Sequence, residues 1–114
     1  MVQDKAVVLR AGVVTVDSLR QGAERVDTND VLYNLSVQVS AGPAKQDQAT
    51  INQLLAAVPN AHYALTFAQN ILQAKTVGQT PKVERDPLAG NPLHGLVSGI
   101  TAEDLYQILK INKH

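Results

Sequence analysis

The segment from Val31 to Ser40 alternates apolar and polar residues, and this alternation constrains the fold more than any other feature of the chain. Odd-numbered positions from 33 to 39 are apolar, whereas even-numbered positions from 34 to 40 are asparagine, serine or glutamine. A period of two indicates a β-strand with one covered face. Strands that are buried on both faces of a parallel sheet are instead continuously apolar. We therefore predict an α+β domain with a mixed or antiparallel sheet, one face of which is covered by helices.

The segments on either side supply the other elements of the sheet. Short β-branched runs predict strands, and apolar stripes at i, i+3, i+4 and i+7 predict helices. The predicted strands are residues 6–9, 31–40, 61–65, an edge strand within 75–83, and 94–100. Four helices are predicted: one after Thr15, one over residues 45–58, one after Thr66 and one after Thr101. Thr66 is predicted to form a capping box with Gln69. The predicted loops are 24–30 and 84–92. The whole chain, 1–114, is thus expected to form a single domain with about five strands and three or four helices.

Length and composition limit what such a domain can do. The chain has 114 residues, of which 45% are hydrophobic and 18% charged, and this balance is typical of one globular unit. Its expected radius of gyration is about 13 Å. Ten basic and ten acidic residues cancel, and only 4% of the residues are aromatic. Because nucleic-acid binding usually requires a basic surface and stacking aromatics, we expect no nucleic acid as a partner.

Several kinds of site are excluded by the residues that are missing. The chain has no cysteine, so disulfides, thiolate nucleophiles and cysteine-ligated zinc are ruled out. Its three histidines lack the i, i+4 spacing of a helical zinc site, and we predict no metal site. No apolar run approaches the ~20 residues that span a bilayer, so no membrane partner is expected. The start of the chain does not resemble a signal peptide, and we expect a cytoplasmic protein or one secreted by a signal-independent route.

His94 carries the clearest chemical signal. It follows the turn-forming pair Asn91-Pro92 and precedes Gly95, which leaves space beside the ring. Because side chains alternate along a strand, His94 and Ser98 share one face. An imidazole and a hydroxyl on one face can bind phosphate or ribose, or act as acid and base. We predict that His94 is catalytic and that Ser98 binds ligand; the alternative is that His94 hydrogen-bonds the backbone of its turn.

Arg10 and Ser36 extend this candidate site. Arg10 ends the first strand, where an arginine can clamp a phosphate or carboxylate through two N–H groups. The alternative for Arg10 is a solvated strand end. Ser36 and Ser40 lie on the polar face of the alternating strand, which either lines a pocket or faces solvent. We predict that Arg10, Ser36 and His94 bind one ligand, provided that their strands are neighbours.

Four short motifs, taken in order, resemble a known family. They are LRAG at 9–12, LSVQVS at 35–40, PLHGLV at 92–97 and TAEDL at 101–105. Together they resemble the small toxin domains of bacterial polymorphic and type VI secretion systems that have an ADP-ribosyltransferase-like fold. The resemblance covers most of the chain as an order of elements, and a few residues in each motif carry it.

This resemblance implies NAD as the cofactor, a transferase activity and a cognate antitoxin as the protein partner. It also implies that Arg10 lies near the dinucleotide phosphates or ribose, with Ser36 on a middle strand and His94 on a late strand. Transferases of this type place a glutamate late in the chain, whereas position 94 is histidine and Glu103 lies on the following helix. Two interpretations stay open: a toxin-like nucleotide-binding domain, and a non-catalytic protein–protein interaction module. We favour the first because it alone gives Arg10 and His94 a joint role.

Overall fold

The alternating segment forms the long central strand of an antiparallel sheet. The computed structural model describes residues 2–76 and 78–114. Its strands are β1 (Ala6–Ala11), β2 (Ala23–Val26), β3 (Val31–Pro43), β4 (Tyr63–Phe67), β5 (Lys82–Arg85), β6 (His94–Ser98) and β7 (Ile100–Thr101). Its helices are α1 (Val16–Gly22), α2 (Gln48–Leu55), α3 (Ala68–Leu72), α4 (Ala102–Leu109) and a 3-10 turn, Lys110–Asn112.

β3 organises the sheet. The main path of strands is β4-β1-β3-β6-β5, and β2 and β7 pair with further stretches of β3. All of these pairings are antiparallel. The radius of gyration is 12.6 Å, close to the value expected for one domain of this length. The predicted α+β fold with a mixed or antiparallel sheet is confirmed, and the sheet is antiparallel.

Helices lie on both faces of the sheet, whereas the sequence prediction placed them on one. Val8 and Leu35 face the main core, where they join buried side chains of α1, α3 and α4. Leu9 faces the opposite way and packs with Leu54 of α2 in a second, smaller core. The reason lies in β1, whose residues 6–9 are continuously apolar and fully buried, as in a strand that is covered on both faces.

β2 falls in a segment that was predicted as a loop. Its residues pair with β3, from Ala23 opposite Leu35 to Val26 opposite Leu32. The polar composition that suggested a loop reflects solvent exposure of this short strand. Arg25 lies over the ring of Tyr33 at 4.0 Å, a cation–π contact that the residue types alone do not predict.

Other element boundaries also differ from the predictions. Thr66 lies within β4 and accepts a hydrogen bond from Asn70, so the predicted capping box is wrong. Phe67 occupies the N-cap of α3 and provides no side-chain cap. α2 begins after Asp47, which caps it, and is shorter than the predicted 45–58. An edge strand is present as β5, but it shares only residues 82–83 with the predicted segment 75–83 and extends into the predicted loop 84–92. Val77 lies outside the described residues.

Asp27 should make stability depend on pH in the acid range. Its carboxylate accepts hydrogen bonds from the backbone N–H groups of Val31 and Asn29 in the β2–β3 turn, and the first of these is the main cause of its lowered pKa. The pKa of Asp27 is lower in the folded state than in the unfolded state. Its stabilising contribution is therefore present above the unfolded pKa of about 3.9 and is lost as the pH falls through the folded pKa. We expect Asp27→Asn to show a weaker loss of stability than the wild type between about pH 4 and pH 2. Urea midpoints measured across this range would show it, and parallel curves for the two proteins would contradict it.

Candidate functional site

Arg10, Ser36 and His94 meet in one cleft, as their candidate roles require. The cleft has a volume of about 240 Å³ and lies on the α2 face of the sheet, where β1 ends. The register places His94 opposite Gln38, and Gln38 opposite Leu9, so three adjacent strands contribute to its floor. Its lining residues are Leu9, Arg10, Ala11, Ser36, Val37, Gln38, Val58 and His94.

The β5–β6 connection positions His94. The connection is tied to β3 by two hydrogen bonds between the side-chain amides of Gln38 and Asn91, at 2.8 and 3.0 Å. A backbone hydrogen bond of 2.8 Å, donated by the Val39 N–H to the Leu93 carbonyl, adds to this attachment. The N–H of Asp86 donates to the His94 carbonyl at 2.9 Å and closes the base of the loop. The backbone around His94 is therefore held by β3 and by Asp86 at the start of the loop.

The His94 ring connects Ser36 with Asp86. Nδ1 lies 2.9 Å from the Asp86 backbone oxygen and 3.2 Å from its carboxylate Oδ2, while Nε2 lies 3.1 Å from Ser36 Oγ. Both partners of Nδ1 are acceptors, so Nδ1 carries the ring proton in the neutral imidazole. Nε2 then accepts from the Ser36 hydroxyl. This arrangement leaves the imidazole ready to take a proton from Ser36.

Arg10 occupies a gap in the sheet. β1 and β2 pair with separate stretches of β3, and Ser36 lies between these stretches. Arg10 Nη1 donates to the Ser36 carbonyl oxygen at 2.8 Å, in place of a backbone N–H. The guanidinium also lies against Gly22, where an added Cβ would overlap Nη2. Arg10 thus ties β1 to the backbone of the residue whose hydroxyl contacts His94.

Electrostatics at Arg10 favour an anionic ligand. Burial lowers the pKa of Arg10 from its ordinary value. Among residues 2–76 and 78–114, Arg10 forms no salt bridge with a carboxylate. A half-buried cation without such a partner is stabilised by an anion that enters beside it. Phosphate and carboxylate are the groups whose geometry suits a guanidinium.

Ser98 and Ser40 lie outside the cleft. Ser98 is on the same strand as His94 but about 13 Å farther along it. Its hydroxyl accepts from the N–H of Asn34 and donates to the Asn34 side chain. Ser40 is buried, where it accepts from the Val7 N–H and donates to the Gly42 carbonyl. The structure thus brings together three of the four predicted site residues, and it gives Ser98 a contact with the backbone of a residue at positive φ.

A larger cavity of about 660 Å³ lies elsewhere, between β4, α3 and α4. Side-chain amides such as Asn70 and Gln107 line much of it, together with Asp104 and Lys75. It contains neither a histidine nor a serine. We take the smaller cleft as the candidate site because, among residues 2–76 and 78–114, the hydrogen bond between an imidazole and a hydroxyl lies there.

Two residues of the site were missed by the sequence analysis. Asp86 was assigned only to a loop, although its carboxylate and carbonyl both contact the His94 ring. Gln38 was assigned to a polar strand face, yet it is only 3% exposed. The usable signal for Asp86 was an acid within the predicted loop 84–92, close in sequence to the histidine that begins the next strand. Glu103, the acid considered from the resemblance, lies in the first turn of α4 and does not line the cleft.

Comparison of the chain with protein-family models, with curated proteins and with solved structures yields no match. In the described part of the chain, no helix combines the length and apolar character that crossing a membrane requires.

Proposed function

We propose that the cleft between Arg10, Ser36 and His94 binds the phosphate and ribose of a nucleotide, and that the chain is a small toxin-like nucleotide-binding domain. One observation carries this proposal: Arg10, which is half-buried and has no carboxylate partner among the described residues, lines the same cleft as an imidazole–hydroxyl pair. The guanidinium suits a phosphate, and the polar pair suits ribose hydroxyls.

The size of the cleft limits which part of the ligand it encloses. Sites that bury a whole small molecule measure about 300–1,000 Å³. The cleft, at about 240 Å³, is smaller. We therefore expect it to hold one phosphate–ribose unit, with the remainder of a dinucleotide lying across the exposed surface of the sheet. NAD is the first ligand to test because the motif resemblance implies it.

Binding is tested by two-dimensional amide NMR with NAD, AMP and inorganic phosphate added in turn. We expect NAD and AMP to shift amides near Arg10, Ser36 and His94, and phosphate to shift a subset near Arg10. His94→Ala should weaken AMP binding at least about ten-fold, which corresponds to about 1.4 kcal/mol. His62→Ala is the matched control, because His62 is an exposed histidine that does not line the cleft.

Two outcomes would overturn this proposal. The first is the absence of shifts at millimolar NAD and AMP in a folded protein. The second is a set of shifts that His94→Ala leaves unchanged. Either result would favour the interaction-module interpretation, and the search would then turn to protein partners such as an antitoxin.

A further inference from the structure

Ser36, His94 and Asp86 form a continuous chain of polar contacts. Ser36 Oγ lies 3.1 Å from His94 Nε2, and His94 Nδ1 lies 3.2 Å from Asp86 Oδ2. A nucleophile within hydrogen-bond reach of a base, with the base oriented by a third group, is the structural signature of an activated hydroxyl. Such a constellation is recognised by its geometry and not by sequence order.

Exposure within this chain suits the three roles. Ser36 is exposed at the surface of the sheet, so an electrophile can reach its hydroxyl. The His94 side chain is only 10% exposed and is held by the hairpin, so the base is sheltered and fixed. Asp86 is 46% exposed and contacts the ring through both its carboxylate and its backbone oxygen.

We propose that Ser36 is a nucleophile toward phosphorus, with His94 as its general base and Asp86 as a positioning residue. We take the pyrophosphate of a nucleotide as its substrate, and this part of the inference rests on the proposed function. The assignment of Ser36 as a nucleophile rests on the contacts between the three residues. Arg10 supports phosphorus as the electrophile because it lines the same cleft, its guanidinium donates to the Ser36 carbonyl oxygen, and a guanidinium suits phosphate oxygens.

The reaction proceeds in two steps. Ser36 Oγ bonds to one phosphorus of the pyrophosphate, the bridging P–O bond breaks, and the Ser36 proton passes to His94 Nε2 and then to the departing phosphate. Water next attacks the phosphoserine. His94 takes a proton from this water and returns it to Ser36 Oγ as the Oγ–P bond breaks. The net change is hydrolysis of the pyrophosphate, with water as the only co-reactant.

The test uses an alkyl fluorophosphonate probe on the intact protein, with adducts located by peptide mass spectrometry. The probe loses fluoride when an activated serine attacks its phosphorus. We expect one adduct, on Ser36, and none on the chain's other serines, Ser18, Ser40 and Ser98. Ser36→Ala should abolish labelling. His94→Gln should slow it at least about 100-fold, because general bases contribute about 10²–10⁴ in rate.

The role of Asp86 is tested by the labelling rate of Ser36, which a purely structural residue would not change in a folded variant. Asp86→Asn should slow labelling by less than His94→Gln does, because the backbone oxygen still holds Nδ1. Asp86→Glu should restore much of the rate by restoring a carboxylate. Circular dichroism of each variant would confirm that it remains folded.

The outcomes separate this inference from the proposed function. A folded wild-type protein that leaves Ser36 unlabelled while AMP still shifts the cleft amides would overturn the nucleophile and leave nucleotide binding intact. Labelling of Ser36 that does not depend on His94 would also overturn the inference. Labelling of Ser36 that depends on His94, in a protein that binds neither AMP nor NAD, would support the nucleophile and overturn the nucleotide assignment.

Discussion

Leu35→Ala is expected to lower the free energy of unfolding by about 3–5 kcal/mol. Leu35 is fully buried at the centre of β3, where it pairs with Ala23 on one edge and with Val97 on the other. Truncation removes buried methyl groups and leaves a cavity that rigid strands on both sides keep from collapsing. Urea unfolding followed by circular dichroism measures the change.

Ile111→Ala is the control for this prediction. Ile111 is also a large aliphatic residue, but it is 84% exposed. Its truncation should change stability by no more than about 0.5 kcal/mol. A loss below about 1 kcal/mol for Leu35→Ala would mean that the sheet closes around the missing side chain, contrary to the packing described here.

Gly95→Ala is expected to destabilise the fold by about 2–3 kcal/mol. A Cβ at this position would lie 2.7 Å from Val39 Cγ2 and 2.8 Å from the Glu84 backbone oxygen. The valine methyl can move by a change of rotamer, whereas the oxygen can move only if β5 shifts. Alanine also reduces the entropy of the unfolded chain, which stabilises by about 0.4–1 kcal/mol, so the steric cost outweighs this gain.

Gly42→Ala is the matched control, because no atom lies within 4 Å of a Cβ built at Gly42. We expect this control to be neutral or slightly stabilising when both variants are compared by thermal and urea unfolding. Equal stability of the two variants would show that β5 moves freely relative to β6. Because Gly95 follows His94, the NMR shifts caused by AMP provide a second measurement: they should weaken in Gly95→Ala and persist in Gly42→Ala.

The sequence predicted those elements whose hydrophobic pattern is regular. The alternation across 31–40 predicted β3, and the T-x-x-D signal at Thr101 predicted α4, whose first-turn N–H at Asp104 is capped by the Thr101 hydroxyl. β2 could not be predicted in this way, because a short exposed strand owes its conformation to pairing with β3 and not to its own residues. The helix α2 was predicted, but its position on the second face of the sheet was not, since an apolar stripe does not specify which face of a sheet the helix covers.

The sequence allowed residues of the candidate site to be predicted, but not their arrangement in space. Arg10, Ser36 and His94 were chosen because their chemistry suits a phosphate, yet their proximity depends on the register of β3 against β1 and β6. A shift of that register by one residue would place Ser36 on the opposite face. Asp86 depends on a further contact, the closure of the hairpin, which brings together residues eight positions apart.

The charge pattern of β5 has a consequence for self-association. This strand lies at the end of the main sheet path, and its sequence is Lys-Val-Glu-Arg. Lys82, Glu84 and Arg85 are exposed, and only Val83 points into the core. An incoming strand from another molecule would have to desolvate these charges before it could pair with the edge. Pairing with a strand of another molecule, and hence fibril growth, is therefore opposed at the β5 edge of the sheet.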